Sequence, residues 1–562
     1  MLCDSSRSRS KSICVLFGRD KEALPFVRSD DDVHSYASPA GASVILGDPT
    51  SRKDARGWSG NSVSVSCDGP SRSIRVLTSV TGFPPIFRVD SAQWSGVCSS
   101  VALLRALKGI ELRPNIDGIL DLCYTGFPVG YRTLFSQITL MPAGREMLLP
   151  AFERPIELRR WEPSAPVARE RPAADRMDIF ADVIAGLETA NSRFSLSGGL
   201  DTRAIFAGLV QVGRMPECFT VSGPTPTLDA VLARELCEAY GVPHRLVPLG
   251  ESFRTNLWEL SSRASLATHG TSSLSCAPQL YCYDYLGLDD SSSTALSGFL
   301  GNQVGRGASE GVTARLFDFS LLSPAFRARA KERSAAPPWY AHGVRLNGEF
   351  DKRFLIQEEN LFASLAGYCA GHERAIQRSP YTDVYLVSAT LTEHGPSPSR
   401  RLPRLGFRAS EIQNRFFGTG STGFQRRFIK QVGGWAASYP INYGWTARGT
   451  LSVKGLRRGA RAFAEDLLTF LSRRTRIADV MRDVSGLRGF ATHLQVDSWI
   501  RDLREPILDH LDTEAIKSAG IVDVRAAKKA ANGFFQTDQQ RPHTIITMMD
   551  LMLAIENFKI SL

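Results

Sequence analysis

Apolar residues follow two different periods along the chain. From Ile13 to about Pro150 they fall in short alternating segments separated by glycine and proline, such as residues 73–78 (SIRVLT) and 82–87 (GFPPIF). Such alternation is typical of strands with one buried face. The pattern therefore predicts a β-rich layer with a few helices over this part of the chain.

Beyond about residue 175 helical and strand-like segments take turns, which predicts an α/β fold with a parallel sheet. We expect ligands beyond the carboxyl ends of such strands. From about residue 320 the pattern is largely helical, and it closes with an amphipathic stretch at 545–558. The predicted α/β order is a helix with Met177, Phe180, Val183, Ile184 and Leu187 on one face, strand 193–196, helix 203–210, strand 218–221, a helix with Leu228, Val231, Leu232 and Leu236 that Gly241 ends, and strand 245–247.

Composition divides the chain into two domains. At 562 residues it is too long for one hydrophobic core. The segment 162–174 (EPSAPVARERPAA) is rich in proline and poor in large apolar residues, as linkers are. We therefore predict a Ser/Arg-rich flexible tail at 1–12, a domain at 13–160, a linker at 161–175 and a second domain at 176–562.

The sharpest local signal is the stretch FSLSGGLDTR at 194–203. It joins a predicted buried strand to a predicted helix, so Ser197, Gly198, Gly199 and Thr202 lie in a strand-to-helix turn. Glycines let a ligand approach the backbone, and the helix start offers unpaired N–H groups to an anion. Asp201 would repel phosphate unless a divalent cation lay between them. The turn indicates a magnesium-bound polyphosphate, although an ordinary turn with a capping aspartate has the same residues.

Overall composition narrows the function only weakly. The chain is 43% hydrophobic and 22% charged, as globular proteins are. Its net charge of +10 is spread along the sequence without a nucleic-acid motif, so we expect no nucleic-acid partner. The ten cysteines show no metal-binding spacing. No apolar run approaches the roughly 20 residues of a membrane span. We expect a soluble, cytoplasmic protein with reduced thiols.

Several motifs occur in the order of one known family. After the turn at 197–202 come 219–221 (FTV), 296–302 (LSGFLGN) and 378–383 (RSPYTD). In this order they resemble the asparagine synthetases and their relatives, the β-lactam synthetases and lasso-peptide cyclases. The resemblance covers residues 175–455 well. It implies an ATP-pyrophosphatase domain, similar to adenine nucleotide α-hydrolases, with a helical C-terminal part.

The N-terminal region resembles that family's glutaminase domain, of the N-terminal-nucleophile type. Residues 82–87 and the segments 133–135 (TLF) and 142–144 (PAG) carry this likeness. A working glutaminase needs cysteine as its mature first residue. Here Cys3 is one place too far, and the best-aligned start, residues 12–18, has Lys11 at that position. We therefore predict a scaffold without ammonia production, with Cys14 as a buried apolar residue.

The resemblance also implies roles for individual residues. Ser197, Gly198, Gly199 and Thr202 would hold the pyrophosphate of ATP, and Asp201 would bind Mg²⁺. Four further residues would border the adenosine: Leu196, Val221, Ser297 and Gly298. Arg448, near the place of a basic residue in relatives, would stabilise the leaving pyrophosphate, unless it is only a surface arginine.

Several positions depart from the family or have an open role. Relatives carry acidic residues where this chain has Asn302 and Gln303, which would bind Mg²⁺ less well. Either another carboxylate takes their place, with Asp289, Asp290 and Glu310 nearby in sequence, or catalysis is impaired. We favour Asp229 as a helix cap over a nucleotide-facing residue. We expect His244 to lie in a loop. We expect the aromatic side chains to pack in the core rather than line a substrate cleft: Tyr439, Tyr443 and Trp445.

Together these features predict an ATP-dependent carbon–nitrogen ligase that forms AMP. It would adenylate a carboxylate-bearing substrate and condense it with an amine. The missing nucleophile favours a lasso-cyclase type, whose partners would be a precursor peptide and a leader protease. An asparagine synthase or an amidotransferase acting on a metabolite or glycan is the alternative. A nucleotide-binding relative without catalysis is the third possibility.

Overall fold

A computed structural model describes most of the chain. The described residues are 13–18, 27–28, 42–47, 52–54, 57–105, 110–163, 176–223, 226–288, 293–306, 317–332, 351–392, 423–441, 446–448, 496–537 and 542–560. Several predictions lie outside them: the tail at 1–12 with Lys11, most of the linker, and Asp289, Asp290, Glu310, Tyr443 and Trp445.

Two five-stranded antiparallel sheets form the N-terminal part, which confirms the predicted β-rich layer. The first sheet has the order β2-β1-β7-β6-β8 and the second β10-β9-β5-β4-β3. The strands are β1 Ile13–Gly18, β2 Val27–Arg28, β3 Ala42–Gly47, β4 Ser62–Asp68, β5 Ser73–Leu77, β6 Phe87–Asp90, β7 Trp94–Cys98, β8 Ile138–Leu140, β9 Arg145–Pro150 and β10 Ile156–Arg160.

Strand β1 shows how the sequence builds these layers. Successive side chains of a strand point to opposite faces. Ile13, Val15 and Phe17 share a cluster with Val65 and Ile74 of the second sheet, so the two sheets pack face to face. Cys14 and Leu16 point the other way, into a cluster with helical residues such as Leu120 and Leu257. Both faces of the first sheet are therefore covered.

A five-stranded parallel sheet with the order β13-β12-β11-β14-β15 forms the second part. It confirms the predicted parallel α/β arrangement. Its strands are β11 Ser192–Ser195, β12 Glu217–Ser222, β13 His244–Pro248, β14 Thr294–Leu296 and β15 Ile376–Arg378. Three helices of the predicted alternation are α3 Arg176–Ala185, α4 Leu200–Gln211 and α5 Leu228–Tyr240, so α4 begins three residues before the predicted start at 203.

The rest of the described chain is mainly helical, as predicted for the region beyond residue 320. The other helices are α1 Val101–Arg105, α2 Ile116–Thr125, α6 Glu251–Thr255, α7 Leu257–Ala267, α8 Ala277–Tyr285, α9 Pro324–Glu332, α10 Lys352–Phe354, α11 Asn360–Ala363, α12 Leu365–His372, α13 Val384–Thr392, α14 Gly423–Val432, α15 Val496–Asp502, α16 Arg504–His510, α17 Glu514–Ala519, α18 Val524–Thr537 and α19 Pro542–Phe558. Single π-helical turns occur at Gly301–Arg306 and Leu355–Glu359.

The expectation of an amphipathic stretch at 545–558 is wrong. Every residue from 544 to 555 in α19 is buried, including Thr547 and Asp550. The helix contacts α2, α7, α15, α17 and α18. Over residues 544–555 the helix is enclosed on all sides and therefore has no solvent face. Within the described part of the chain, no helix has both the length and the apolarity to cross a membrane.

Hydrophobic contacts continue across the predicted linker. One cluster joins β1, β6 and α2 of the N-terminal part to α7 and α19. A second cluster holds the α/β sheet against α3, α4 and α14. The first cluster therefore ties the N-terminal sheets to the C-terminal helices.

Candidate functional site

The glycine turn lies at the point where the strand order of the parallel sheet reverses. Strands β12 and β13 follow β11 on one side, whereas β14 and β15 lie on the other. In such sheets the loops after the two strands at the reversal diverge and leave a crevice, where ligands bind. Here those loops are residues 196–199, after β11, and residues 297–300, after β14. The sequence predicted the turn and the second glycine loop, and the sheet order makes them neighbours.

The two loops approach each other closely around Asp201. A Cβ atom on Gly298 would lie 3.0 Å from Thr202 Cγ2 and 3.2 Å from Asp201 Cβ. A Cβ atom on Gly301 would lie 2.6 Å from Asp201 Cγ, which is closer than real Cβ contacts. A side chain at position 301 would therefore force the loop or the Asp201 side chain to shift.

Hydrogen bonds inside the turn hold the groups that we predicted to bind phosphate. Ser197 N donates to Thr202 Oγ1 at 3.2 Å, and Gly199 N donates to Ser197 Oγ at 3.2 Å. The two hydroxyl oxygens, Ser197 Oγ and Thr202 Oγ1, are 3.0 Å apart. Gly199 is the N-cap residue of α4, just before Leu200, and it makes no side-chain capping hydrogen bond. The turn thus brings together Ser197, Gly199 and Thr202 at the start of a helix.

Asp229 does not have the capping role that we favoured. Thr227 caps α5, since its Oγ1 accepts a hydrogen bond from Ala230 N at 3.2 Å. The Asp229 carboxylate instead accepts a hydrogen bond from Gly198 N at 2.9 Å. An extended backbone at Thr227 places its hydroxyl over the helix start. Asp229 lies one position inside the helix, where its side chain reaches the glycine turn.

Asp201 lies in the first turn of α4, and its carboxylate has a partner from a distant helix. Gln425 Nε2, on α14, donates to Asp201 Oδ1 at 2.8 Å and to Gly301 O at 3.1 Å. The Gln425 side chain is fully buried. The Tyr381 hydroxyl donates to the backbone oxygen of Asp201 at 3.1 Å. Sequence reasoning missed Gln425, because 224 positions separate it from Asp201 and it belongs to no recognisable motif.

Arg203 is the second residue that sequence reasoning missed. It is 0% exposed, and it donates to Tyr439 O at 2.7 Å, to Pro440 O at 3.0 Å and to Gly198 O at 3.3 Å. Burial lowers the pKa of Arg203 to about 10, against the opposing effect of Asp229. The guanidinium therefore stays charged at neutral pH. The sequence feature that could have pointed to Arg203 is its position two residues after Asp201.

The predicted adenosine border is only partly assembled. Gly298 contacts the glycine turn as described above, and Ser297 N donates to Arg378 O at 3.0 Å. Leu196 is buried in the core of the α/β sheet, so its side chain is a packing residue. Val221 is half-buried near the carboxyl end of β12. The structure brings Gly298, but not the Leu196 side chain, to the crevice.

Arg448 lies two residues after Thr446, which forms a β-bridge with Pro440, a residue that Arg203 contacts. Its backbone N donates to Ala437 O at 3.2 Å, and its side chain is exposed. Tyr439 is buried in the core of the α/β sheet, which confirms its predicted packing role. The part of Arg448 in pyrophosphate stabilisation stays a prediction.

The structure also describes three other residues that the sequence singled out: His244, Asn302 and Gln303. His244 begins strand β13 rather than lying in a loop, because it pairs in register with Cys218 of β12. Its Nε2 lies 3.0 Å from Thr220 Oγ1, and burial lowers the pKa of the ring. Asn302 and Gln303 lie in the π-helical turn after the second glycine loop, with Gln303 buried.

Cys14 is buried, as predicted. Burial raises the pKa of its thiol to about 12, so the side chain stays protonated at neutral pH. A protonated thiol is a weak nucleophile. The nine described cysteines form no disulfide among themselves.

The donor set near Asp201 suits a cation that arrives with a nucleotide. Among the described residues, no group of three or more His, Cys, Asp and Glu side chains could hold a metal ion. Mg²⁺ usually needs only one or two protein carboxylates when phosphate oxygens and water complete its shell. Asp201 supplies one such carboxylate beside the glycine turn. The residues present therefore fit Mg²⁺ as a companion of bound phosphate.

The sequence was also compared with known proteins. It matches no family model and no curated protein.

Proposed function

We propose that this protein is an ATP-dependent amide ligase. It would adenylate a carboxylate, release pyrophosphate and condense the activated acyl group with an amine. The observation that carries this proposal is the position of the 197–202 turn at the strand-order reversal, with the second glycine loop packed against Asp201. Peptide macrolactam formation, as in lasso-peptide cyclases, is the form of the reaction that we favour.

The turn has the chemistry that a phosphate group needs. Its amides at Ser197 and Gly199 now donate to neutral hydroxyl oxygens at 3.2 Å, which is long for a hydrogen bond. Bonds to an anionic phosphate oxygen are shorter and about twice as strong. The positive end of the α4 dipole adds to this preference. The N–H groups would therefore exchange their hydroxyl partners for phosphate oxygens.

Asp201 is the residue that would hold Mg²⁺ in this site. A bound cation would neutralise phosphate charge beside the carboxylate. Gln425 keeps the carboxylate in place by donating to Oδ1, so the carboxylate has a fixed direction in which it would meet the cation. The buried Gln425 amide thus orients Asp201 for this role.

The source of the amine is the second part of the proposal. Ammonia from glutamine requires an activated thiolate, whereas the Cys14 thiol is buried with a raised pKa. This supports an amine that belongs to the substrate, such as a peptide N-terminus. The partners would then be a precursor peptide and a leader protease. Reduced cysteines suit a cytoplasmic location.

One observation favours the third possibility, a relative that binds nucleotide without catalysis. The Asp201 carboxylate and the turn amides already have partners within the protein. In addition, Asn302 stands where relatives have acidic residues. The asparagine synthase alternative has no comparable support, because it needs ammonia or an active glutaminase.

A turnover assay separates these three functions. Protein, Mg·ATP and peptides with a free N-terminus and an Asp or Glu side chain are incubated, and AMP, pyrophosphate and peptide mass are measured. The ligase predicts AMP and pyrophosphate in equal amounts, with loss of one water from a peptide. Release of glutamate from glutamine would favour the amidotransferase. Nucleotide binding without AMP across all amines would favour the non-catalytic relative and contradict our proposal.

A further inference from the structure

Arg203 and Asp229 carry opposite charges and bind the same glycine. Asp229 Oδ1 accepts a hydrogen bond from Gly198 N at 2.9 Å, and Arg203 Nη2 donates to Gly198 O at 3.3 Å. The N–H and C=O groups of Gly198 are thus both fixed by side chains. Those side chains come from two different helices, α4 and α5.

The Arg203 guanidinium also donates hydrogen bonds to a second segment, at Tyr439 and Pro440. Its Nη1 donates to Tyr439 O at 2.7 Å, and its Nη2 also donates to Pro440 O at 3.0 Å. The ring of Tyr439 lies 5.8 Å from the guanidinium carbon. Arg203 therefore connects the glycine turn to Tyr439 and Pro440, and Pro440 forms a β-bridge with Thr446.

Stability alone does not explain a fully buried arginine. A buried charge loses its hydration, and replacing buried charged groups by apolar residues of similar size is often neutral or stabilising. A glycine pair, in contrast, has wide conformational freedom that the fold must restrict wherever its N–H groups need a fixed direction. Donors that are already oriented contribute most to binding and catalysis.

We propose that Arg203 and Asp229 are positioning residues that fix the Gly198 peptide groups, so that the turn presents its amides to the phosphates of ATP. This inference rests on the proposed function. Neither side chain needs to touch the nucleotide, since both act through Gly198. Arg203 also sets where Tyr439 and Pro440 lie relative to the turn.

The test compares the affinity for ATP with that for adenosine. Calorimetric titrations in Mg²⁺ are made on the native protein and on Arg203→Met, which keeps the length of the side chain but removes every donor. We expect Arg203→Met to weaken ATP binding at least tenfold and to leave adenosine binding within about twofold, because only ATP uses the turn. Asp229→Asn should weaken ATP binding less, and the double variant should be no weaker than Arg203→Met.

Arg426→Met is the matched control. Arg426 is a partly buried arginine of α14 whose Nε donates to Ala447 O at 3.4 Å. The Arg426→Met substitution should leave the ratio of the affinities for ATP and adenosine unchanged. Equal weakening of ATP and adenosine by Arg203→Met would overturn the inference, as would no weakening of either. If Arg203→Met does not fold, Arg203→Lys retains the charge and should still weaken ATP binding selectively, because one ammonium group cannot replace the planar fork.

Amide hydrogen exchange separates failure of this inference from failure of the proposed function. We expect the Gly198 amide to exchange at least tenfold faster in Asp229→Asn and in the Arg203 variant than in the native protein. If the native protein binds no ATP but this difference is present, the proposed function fails while the positioning of Gly198 stands. Unchanged exchange in both variants would contradict the positioning itself.

Discussion

At the scale of single residues, His269 is a neutral histidine buried in a contact between the two parts of the chain. It is 4% exposed, and neither ring nitrogen has a hydrogen-bond partner among the described residues. The ring packs edge-on against Phe87 of β6, with centroids 4.6 Å apart. Burial lowers the pKa of His269 to about 3. Protonation is therefore strongly disfavoured in the folded state.

This burial predicts a loss of stability as the pH falls. In the unfolded chain the histidine pKa is about 6.5, so between pH 6.5 and about 3 only the unfolded state takes up the proton. The stabilising effect is complete above pH 6.5 and declines below it, by about 2 kcal/mol on reaching pH 5. His269→Asn should reduce this slope; asparagine tolerates the backbone there, where φ is +58°. Guanidinium unfolding at several pH values measures both proteins, and equal slopes would contradict the prediction.

The glycine turn and its partners show which residues can be found from sequence. Gly198, Gly199 and Asp201 are adjacent in the chain, and a strand-to-helix turn is a local pattern. Gln425 is far away in sequence, and its role depends on how α14 packs against α4. In the sequence, either Thr227 or Asp229 could cap the helix that begins at Leu228. The extended backbone at Thr227 makes Thr227 the cap, and the sequence alone does not reveal that conformation.

At the scale of elements, the second glycine loop is set by its contact with α4. Gly301→Ala would place a methyl group 2.6 Å from Asp201 Cγ, so the loop and the Asp201 side chain must move apart. We expect a destabilisation of about 1–3 kcal/mol, together with weaker binding of Mg·ATP. Thermal and urea unfolding measure the first effect and calorimetry the second.

Gly533→Ala supplies the control for the same substitution. Gly533 lies within α18, and a Cβ atom there would meet nothing within 4 Å. Alanine should stabilise the helix by up to about 1 kcal/mol without any effect on nucleotide binding. A stable Gly301→Ala protein with native affinity would show that the two loops do not constrain each other.

The order of helices and strands was predictable because each has its own apolar period. The surroundings of α19 were not. Its threonines and Asp550 look like a polar face in the sequence, yet Asp550 accepts a hydrogen bond from Ser273 N at 2.7 Å inside the core. Polar residues at helical spacing indicate a solvent-exposed face only when no other segment of the protein supplies their hydrogen-bond partners.

At the scale of the whole molecule, the N-terminal sheets and the α/β sheet share a buried polar contact. Asn61 Nδ2 donates to Gln377 O at 2.6 Å, and the Tyr368 hydroxyl donates to Asn61 Oδ1 at 3.0 Å. Nearby, the buried ring of Phe83 packs against Phe299 and Tyr368, at centroid distances of 5.0 Å and 4.6 Å. The two parts are therefore expected to unfold together.

Asn61→Ala tests this coupling. It would remove two buried hydrogen bonds, one to Gln377 O and one from the Tyr368 hydroxyl, which costs about 1–3 kcal/mol. We expect the urea midpoint to fall by the same amount when unfolding is followed by tryptophan fluorescence and by circular dichroism. Gln93→Ala, at an exposed position, should have almost no effect. Two separate transitions, of which Asn61→Ala shifts one, would show that the parts unfold independently.

The central claim is that the 197–202 turn and Asp201 bind the phosphates of ATP with Mg²⁺, and calorimetric titration with ATP tests it most directly. The native protein should show saturable binding that strengthens with Mg²⁺. Asp201→Ala should lose at least tenfold in affinity when Mg²⁺ is present and little when it is absent. No uptake of ATP by the native protein at saturating Mg²⁺, or equal Mg²⁺-dependent binding by Asp201→Ala, would contradict the account.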